Sequence, residues 1–285
     1  MPRPVTAGID GSVASLAAAS WAAWEAELHG TELHLVAAWP PVNGSRVSAS
    51  QSAARRRWAL RCLDLAARRL RTRHPWLTVR THVLNAPPTQ ALLSAGEDAE
   101  LLVLGSRGLG TTSSSALGST SAGIAARAGF PVTLVRSPSR QSERRVHGVP
   151  VVLALDAGHS HDDLSTAIAF EEAALRHLPL RALYVWIPPS PVGSRPVTPW
   201  PYGPSARTRH AARLLTEALV PWRRKFPDVR VEEVCVEDVP ACAVTAATRH
   251  ASLTVLGHRV ASSLGAVAHA TVCQAESPVL LVPHR

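Results

Sequence analysis

Four short segments of this chain occur twice, in the same order, and that internal repetition constrains the fold more than any single motif. Val5-Thr6-Ala7-Gly8-Ile9-Asp10-Gly11 is matched by Val151-Val152-Leu153-Ala154-Leu155-Asp156-Ala157, two apolar runs that both reach an aspartate. Leu33–Trp39 (LHLVAAW) is matched by Leu180–Trp186 (LRALYVW), each followed by proline and a long polar stretch. Ala99–Gly105 (AELLVLG) is matched by Ala251–Gly257 (ASLTVLG), and Phe130–Val135 (FPVTLV) by Ser277–Val282 (SPVLLV). The copies are displaced by about half of the 285 residues, so one unit is read twice. That length is also about twice a usual ~150-residue domain.

Within each copy, apolar runs of strand length alternate with longer stretches of helical period, the pattern of a parallel sheet with crossover helices. Strands are expected near 4–10, 33–39, 78–84, 101–105 and 132–135, with helices near 12–29, 50–73, 88–97 and 118–129. The second copy places strands near 149–155, 180–187, 229–236, 253–257 and 279–282. The reading divides the chain into an N-terminal domain at 1–138, a linker at 139–148 within the Ser-, Arg- and Pro-rich stretch from Arg136 to Gly148, and a C-terminal domain at 149–285. The edge strands Val132–Val135 and Val279–Val282 are the candidates for the contact between halves, and pairing of two whole chains is left open.

Composition narrows the class. Hydrophobic residues make up 46% and charged ones 18%, a globular balance. No apolar run approaches the ~18 residues of a membrane span, and the first residues lack a secretion signal, so a cytoplasmic protein without membrane contact is expected. Cys62, Cys235, Cys242 and Cys273 form no C-x-x-C pair and are read as reduced structural thiols. The net charge of +9 comes almost entirely from arginine, Lys225 being the single lysine. Arg55, Arg56, Arg57, Arg61, Arg68, Arg69, Arg71 and Arg73 share one helical segment, read as a solvated face rather than a nucleic-acid surface.

Chemistry concentrates after the fourth strand. Gly105-Ser106-Arg107-Gly108 opens a loop of small and hydroxylated residues that closes at Gly118-Ser119-Thr120, with the spacing G-x2-G-x9-G-S. Glycines there let backbone amides approach phosphate oxygens, and a helix beginning at Gly118 and Ser119 offers free N–H groups and a positive dipole end. With strand order 3-2-1-4-5, the crevice at the carboxyl ends of strands one and four would be flanked by Asp10 and Gly105, with Ala38 and Trp39 beside it. In the second copy the loop from Gly257 to Gly265 is shorter by five residues. Val260 stands where the second glycine belongs, and Ala266 replaces the serine. That copy is expected not to hold a triphosphate in the same manner, a β-branched residue being unsuited to positive φ.

These residues resemble the universal stress protein family in its tandem two-domain form. Val5–Ser12, Leu33–Trp39, the glycine spacing at 105–119 and Phe130-Pro131-Val132 carry the resemblance, which covers nearly the whole chain. It implies an α/β fold with an open five-stranded parallel sheet in each domain, helices on both faces, and in one branch of the family ATP binding without dedicated catalytic apparatus. The resemblance assigns Asp10 to the nucleoside, the backbone at Ala38 to adenine, and Gly105, Gly108, Gly118 and Ser119 to ribose and phosphates. Arg107 and Thr120 lie within the same loop and helix start.

Three functions remain open on the sequence: a regulatory protein that binds ATP in its N-terminal half, a slow Mg²⁺-dependent ATPase or phosphotransferase, and a nucleotide-free interaction scaffold. The second lacks a Walker lysine and an assignable base. His159-Ser160-His161-Asp162-Asp163 has the residue types of a metal cluster, but Ser160 suits a helix N-cap and the acids suit its first turn, so no metal is assigned. Ser113, Ser114 and Ser115 lack a nucleophile elbow and are read as loop hydroxyls, and His82, His250 and His269 as isolated.

Overall fold

The computed structural model describes residues 2–39, 49–107, 117–136, 148–156, 163–186 and 204–284. The first half runs β1 (Val5–Gly8), α1 (Val13–Leu28), β2 (Leu33–Ala38), α2 (Ala49–Arg73), β3 (Val79–Leu84), α3 (Pro88–Glu97), β4 (Leu101–Gly105), α4 (Ser119–Arg127) and β5 (Val132–Val135). The second repeats it as β6 (Val151–Asp156), α5 (Asp163–Arg176), β7 (Leu180–Trp186), α6 (Pro204–Lys225), β8 (Val231–Glu237), α7 (Pro240–Ala247), β9 (Leu253–Arg259), α8 (Ala266–Gln274) and β10 (Val279–His284).

Each half carries the expected order 3-2-1-4-5, and the two sheets join into one ten-stranded sheet, β3-β2-β1-β4-β5-β10-β9-β6-β7-β8. All pairings within a half are parallel. The seam is the antiparallel pair β5–β10, with Val279 opposite Leu134 and Leu281 opposite Val132. The edge strands named from the sequence are thus the ones that meet, and their pairing satisfies backbone groups that an open edge would leave exposed.

Strands covered on both faces read as continuous apolar runs, which is why β4 (LLVLG) is buried at every position. One face of the sheet is covered by α1, α2, α5 and α6, whose Trp21, Leu63, Phe170 and Leu219 enter one continuous core. The other carries α3, α4 and α8 through Leu92, Ile124 and Val272, with Val244 of α7 in a smaller cluster. Helix α1 starts where Ser12 Oγ accepts the Ser15 N–H at 3.1 Å. It ends at Gly30, whose φ of +63° is glycine's left-handed terminator. Between them Ala18, Ala19, Ala22, Ala23 and Ala26 are almost wholly buried, and such small side chains let α1 lie close against the strands.

Under the seam the two halves also share charge. Glu25 of α1 and Arg176 of α5 form a bidentate pair at 2.8 and 2.7 Å, with side chains 0% and 2% exposed. Arg176 also binds Glu172 and lies over the Trp24 ring at 5.0 Å. His29 contacts Glu25 at 3.2 Å, Glu172 at 3.3 Å and Glu100 at 3.2 Å. The spacing that relates Leu33 to Leu180 also relates Glu25 to Glu172 and His29 to Arg176, so the cluster lies on the pseudo-twofold between repeats. A fused chain lets the two copies differ there, one bringing imidazole and the other guanidinium.

Burial lowers the His29 pKa, but the hydrogen bond and charge of Glu25, with the charge of Glu100, outweigh burial and the opposing charge of Arg176, leaving it above its ordinary 6.5. A raised folded pKa means that stabilisation is full below the unfolded value and is lost as pH rises through the folded one. The urea midpoint is therefore expected to fall as pH climbs from about 6 past neutrality, and His29→Gln to flatten that fall. A midpoint in the wild type that rises over the same range would contradict the assignment.

Candidate functional site

At the carboxyl ends of β1, β2 and β4 the first half opens into a cleft of about 870 Å³, within the ~300–1,000 Å³ range of small-ligand sites. It lies at the reversal point of strand order, between β1 and β4. Asp10, Ala38, Gly105, Arg107, Gly118, Ser119 and Thr120 all line it, so every expected site residue within the described residues comes together. Gly108 lies outside the described residues, as do Ser113–Ser115 and 159–162 of the His/Asp stretch.

The geometry of the glycine motif differs from the sequence reading in one respect. Amides throughout 105–119 were expected to face the ligand, but Ser106 N–H donates to Val135 O at 2.8 Å and Gly118 N–H to Ser106 O at 2.9 Å. Ser121 Oγ, buried, donates to Gly105 O at 2.7 Å and pins α4 to the end of β4. The amides of Ser119, Thr120 and Ser121, in the first turn of α4, have no acceptor among the described residues. Gly118 is the N-cap at φ −62° and makes no side-chain cap, so the positive end of α4 is presented to the cleft.

Gly105 also has a second reason to be glycine. A Cβ there would lie 2.7 Å from the Ala14 carbonyl carbon and 2.9 Å from its oxygen. The residue is demanded by the close approach of α1, whatever the ligand requires.

Ala38 sits where the sheet releases its backbone. In a parallel ladder successive residues bond to alternate neighbours. Trp39 N–H donates to Leu84 O of β3 at 2.7 Å, whereas the last rung toward β1 is Ile9 N–H to Val36 O at 2.8 Å. Ala38 N–H and C=O point to the β1 side beyond that rung, with no backbone partner among the described residues. They form an unpaired donor and acceptor at the cleft wall.

Charge in the cleft is mostly positive. Arg107 lines it, and one of its guanidinium nitrogens, Nη2, is buried without a hydrogen-bond partner. Burial and the like charge of Arg107 hold the Arg136 guanidinium below its ordinary value, with Cys273 and Glu276 opposing. Asp10 is the one carboxylate among the described lining residues, and its Oδ1 accepts the Ser12 N–H at 2.9 Å. Burial, then the charge of Asp10, pushes the Cys62 thiol up, away from reactive thiolate.

Sequence reasoning missed the contribution of α2. Arg55, Trp58 and Cys62 also line the cleft, although the arginine-rich segment was read only as a solvated face. Their i, i+3, i+7 spacing was the available signal. His82 is likewise not isolated, since its ring lies 4.9 Å from that of His34 on the neighbouring strand. Of the four cysteines, Cys62 is buried, Cys235 and Cys273 are half-buried and Cys242 is exposed.

The equivalent place in the second half is built differently. Strands β9 and β10 each run two residues past the expected ends, pairing His258 with Pro283 and Arg259 with His284. The short connection that follows is tied back to the first half, Ala261 N–H donating to Ala126 O of α4 at 2.9 Å. Chain that leaves the sheet at Gly105 in the first half therefore remains in the sheet at Gly257.

The family model described as "Universal stress protein family" matches residues 1–136 and again 150–283. A universal stress protein of Mycobacterium tuberculosis is 31% identical over 290 residues, covering 97% of this chain and 96% of the relative. One of Mycolicibacterium smegmatis is 31% identical over 297 residues, covering 99% and 97%. Among solved structures, a universal stress protein from Archaeoglobus fulgidus superimposes with a TM-score of 0.72 at 15% identity, covering 99% of this chain and 96% of that one, which shows a shared fold. Among the described residues no helix is long and apolar enough to cross a membrane. With both halves matched and relatives of nearly the same length, the chain belongs to the universal stress protein family.

Proposed function

We propose that the N-terminal cleft binds ATP and that the protein acts as a nucleotide-dependent regulator during stress, not as a catalyst. The meeting in one cleft of Arg107, whose Nη2 lacks a hydrogen-bond partner among the described residues, with the open first turn of α4 carries this reading. A guanidinium N–H without an acceptor is an unused charged donor, and an anionic ligand supplies the acceptor. The free N–H and C=O of Ala38 suit the edge of an adenine, and Asp10 suits a ribose hydroxyl. The C-terminal half, with its strands prolonged over the equivalent place, takes no triphosphate in this scheme.

Asp10 is the one described carboxylate on the cleft wall available to share a Mg²⁺ with the triphosphate, and it is already turned onto Ser12. No second carboxylate or lysine among the described lining residues stands ready to activate water or steady a leaving phosphate. That favours binding over turnover. Binding confined to one conformation would shift its population, which is how occupancy would be read by a partner.

Calorimetric titration of the full chain with ATP is expected to give one site. Arg107→Ala should weaken it by about 10-fold or more, the loss of a charge-assisted hydrogen bond, and Gly265→Ala in the second half should leave it unchanged. A wild-type chain that takes up no adenine nucleotide, or two equal sites per chain, sinks the proposal.

A further inference from the structure

Helix α2 is amphipathic over most of its length but not at its start. From Arg55 to Trp58 every residue is exposed, and the helix settles onto the core only from Ala59 onward, through Ala59, Leu63, Ala66, Ala67 and Leu70. A helical end with so little packing gains little for the fold by itself. This one stands over the cleft, whose wall it supplies through Arg55, Trp58 and Cys62.

Trp58 is 55% exposed, yet it is held in place. Its indole lies on the Asp10–Gly11 turn, with Cζ2 3.4 Å from where a Gly11 Cβ would be and Cys62 Sγ 2.8 Å from the same point. Gly11 has φ +85°, so both its conformation and the two α2 side chains exclude any larger residue. A large aromatic surface is thereby set against the turn that carries Asp10, in a cleft that Ala38 and Trp39 also line. Arg55 lies one turn earlier on the same side and has no acidic partner among the described residues.

We infer that Trp58 is a ligand-contacting residue that stacks on the aromatic base of the bound nucleotide, with Arg55 adding charge for its anionic part. The inference rests on the nucleotide reading of this cleft and adds to it the residue that makes the site select a planar base over a bare polyphosphate. Stacking of a base on an aromatic side chain is sequence-tolerant but absent for inorganic phosphates.

The test compares three ligands, ATP, adenosine and inorganic tripolyphosphate, titrated into the wild type and into Trp58→Ala, Trp58→Phe and Arg55→Ala. Trp58→Ala is expected to weaken ATP and adenosine by about 10-fold each and to leave tripolyphosphate alone, while Trp58→Phe restores most of the loss. Arg55→Ala should weaken ATP and tripolyphosphate but not adenosine. Because Trp58 is on the surface, its variants should fold, and unchanged circular dichroism and urea midpoint check this. Wild-type ATP and adenosine affinity in Trp58→Ala, or an equal loss for all three ligands, overturns the inference while leaving nucleotide binding intact. A wild-type chain that binds none of the three overturns both.

Discussion

Replacing Glu25 by alanine is expected to lower the stability of the protein by about 3–5 kcal/mol, because it strands a guanidinium that has almost no access to water. The Arg176 side chain is 2% exposed and its two shortest contacts outside its own helix are to the Glu25 carboxylate. Glu172 alone must then neutralise it through Oε2, while its Oε1 is engaged by His29 from the other half. Urea denaturation of the wild type and Glu25→Ala measures the loss directly. The companion variant, Glu25→Leu and Glu172→Leu with Arg176→Met, removes the guanidinium together with both buried carboxylates that face it and is expected to recover most of it, since replacing a whole buried ion cluster by apolar groups is often neutral or better. If Glu25→Ala costs less than about 1 kcal/mol, the cluster is a solvated pair and not a buried one. Since these side chains come from α1 and α5, the same measurement reports how firmly the halves are held beyond the β5–β10 seam.

That cluster was invisible in the sequence, and the reason is physical. Glu25 and His29, like Glu172 and Arg176, are four residues apart on a helix, a spacing that usually marks an exposed ion pair. Only the pseudo-twofold meeting of two repeats buries them, and nothing local announces it. Strands such as Leu101–Gly105 and Val132–Val135 were legible to the residue because burial on both faces leaves nearly unbroken apolar runs, with the β-branched Thr133 the one polar position. The ends of β9 and β10 were not, since Gly257 was taken to leave the sheet as Gly105 does, whereas the pairing through Arg259 and His284 carries the ladder onward. In the cleft, residues within one motif were found by spacing, while Trp58 and Arg55 arrive from another element through tertiary packing. Their arginine-rich surroundings pointed to solvent, and for most of that segment correctly so.

The glycine motif itself separates into positions that serve the fold and positions that face the cleft, and Gly105→Ala is the variant that draws the line. An added methyl would sit 2.7 Å from the backbone carbon of Ala14 and 2.9 Å from its Cβ, distances that real side chains do not tolerate. Neither neighbour is a flexible tip that can swing away, so α1 must move off the sheet. Its row of buried alanines allows that only by opening gaps along β1 and β4. A loss of about 3 kcal/mol is expected, at the upper end of ordinary overpacking. Gly265→Ala, at the matching place in the second half, meets no atom within 4 Å and should change stability by no more than about 0.5 kcal/mol. The pair is compared by urea midpoint without nucleotide and again with saturating ATP. If Gly105 acts chiefly through packing, its alanine variant is destabilised in both conditions and still gains stability from the ligand. Wild-type stability in Gly105→Ala together with loss of ATP binding would return this glycine to the phosphate-binding role that its place in the motif first suggested.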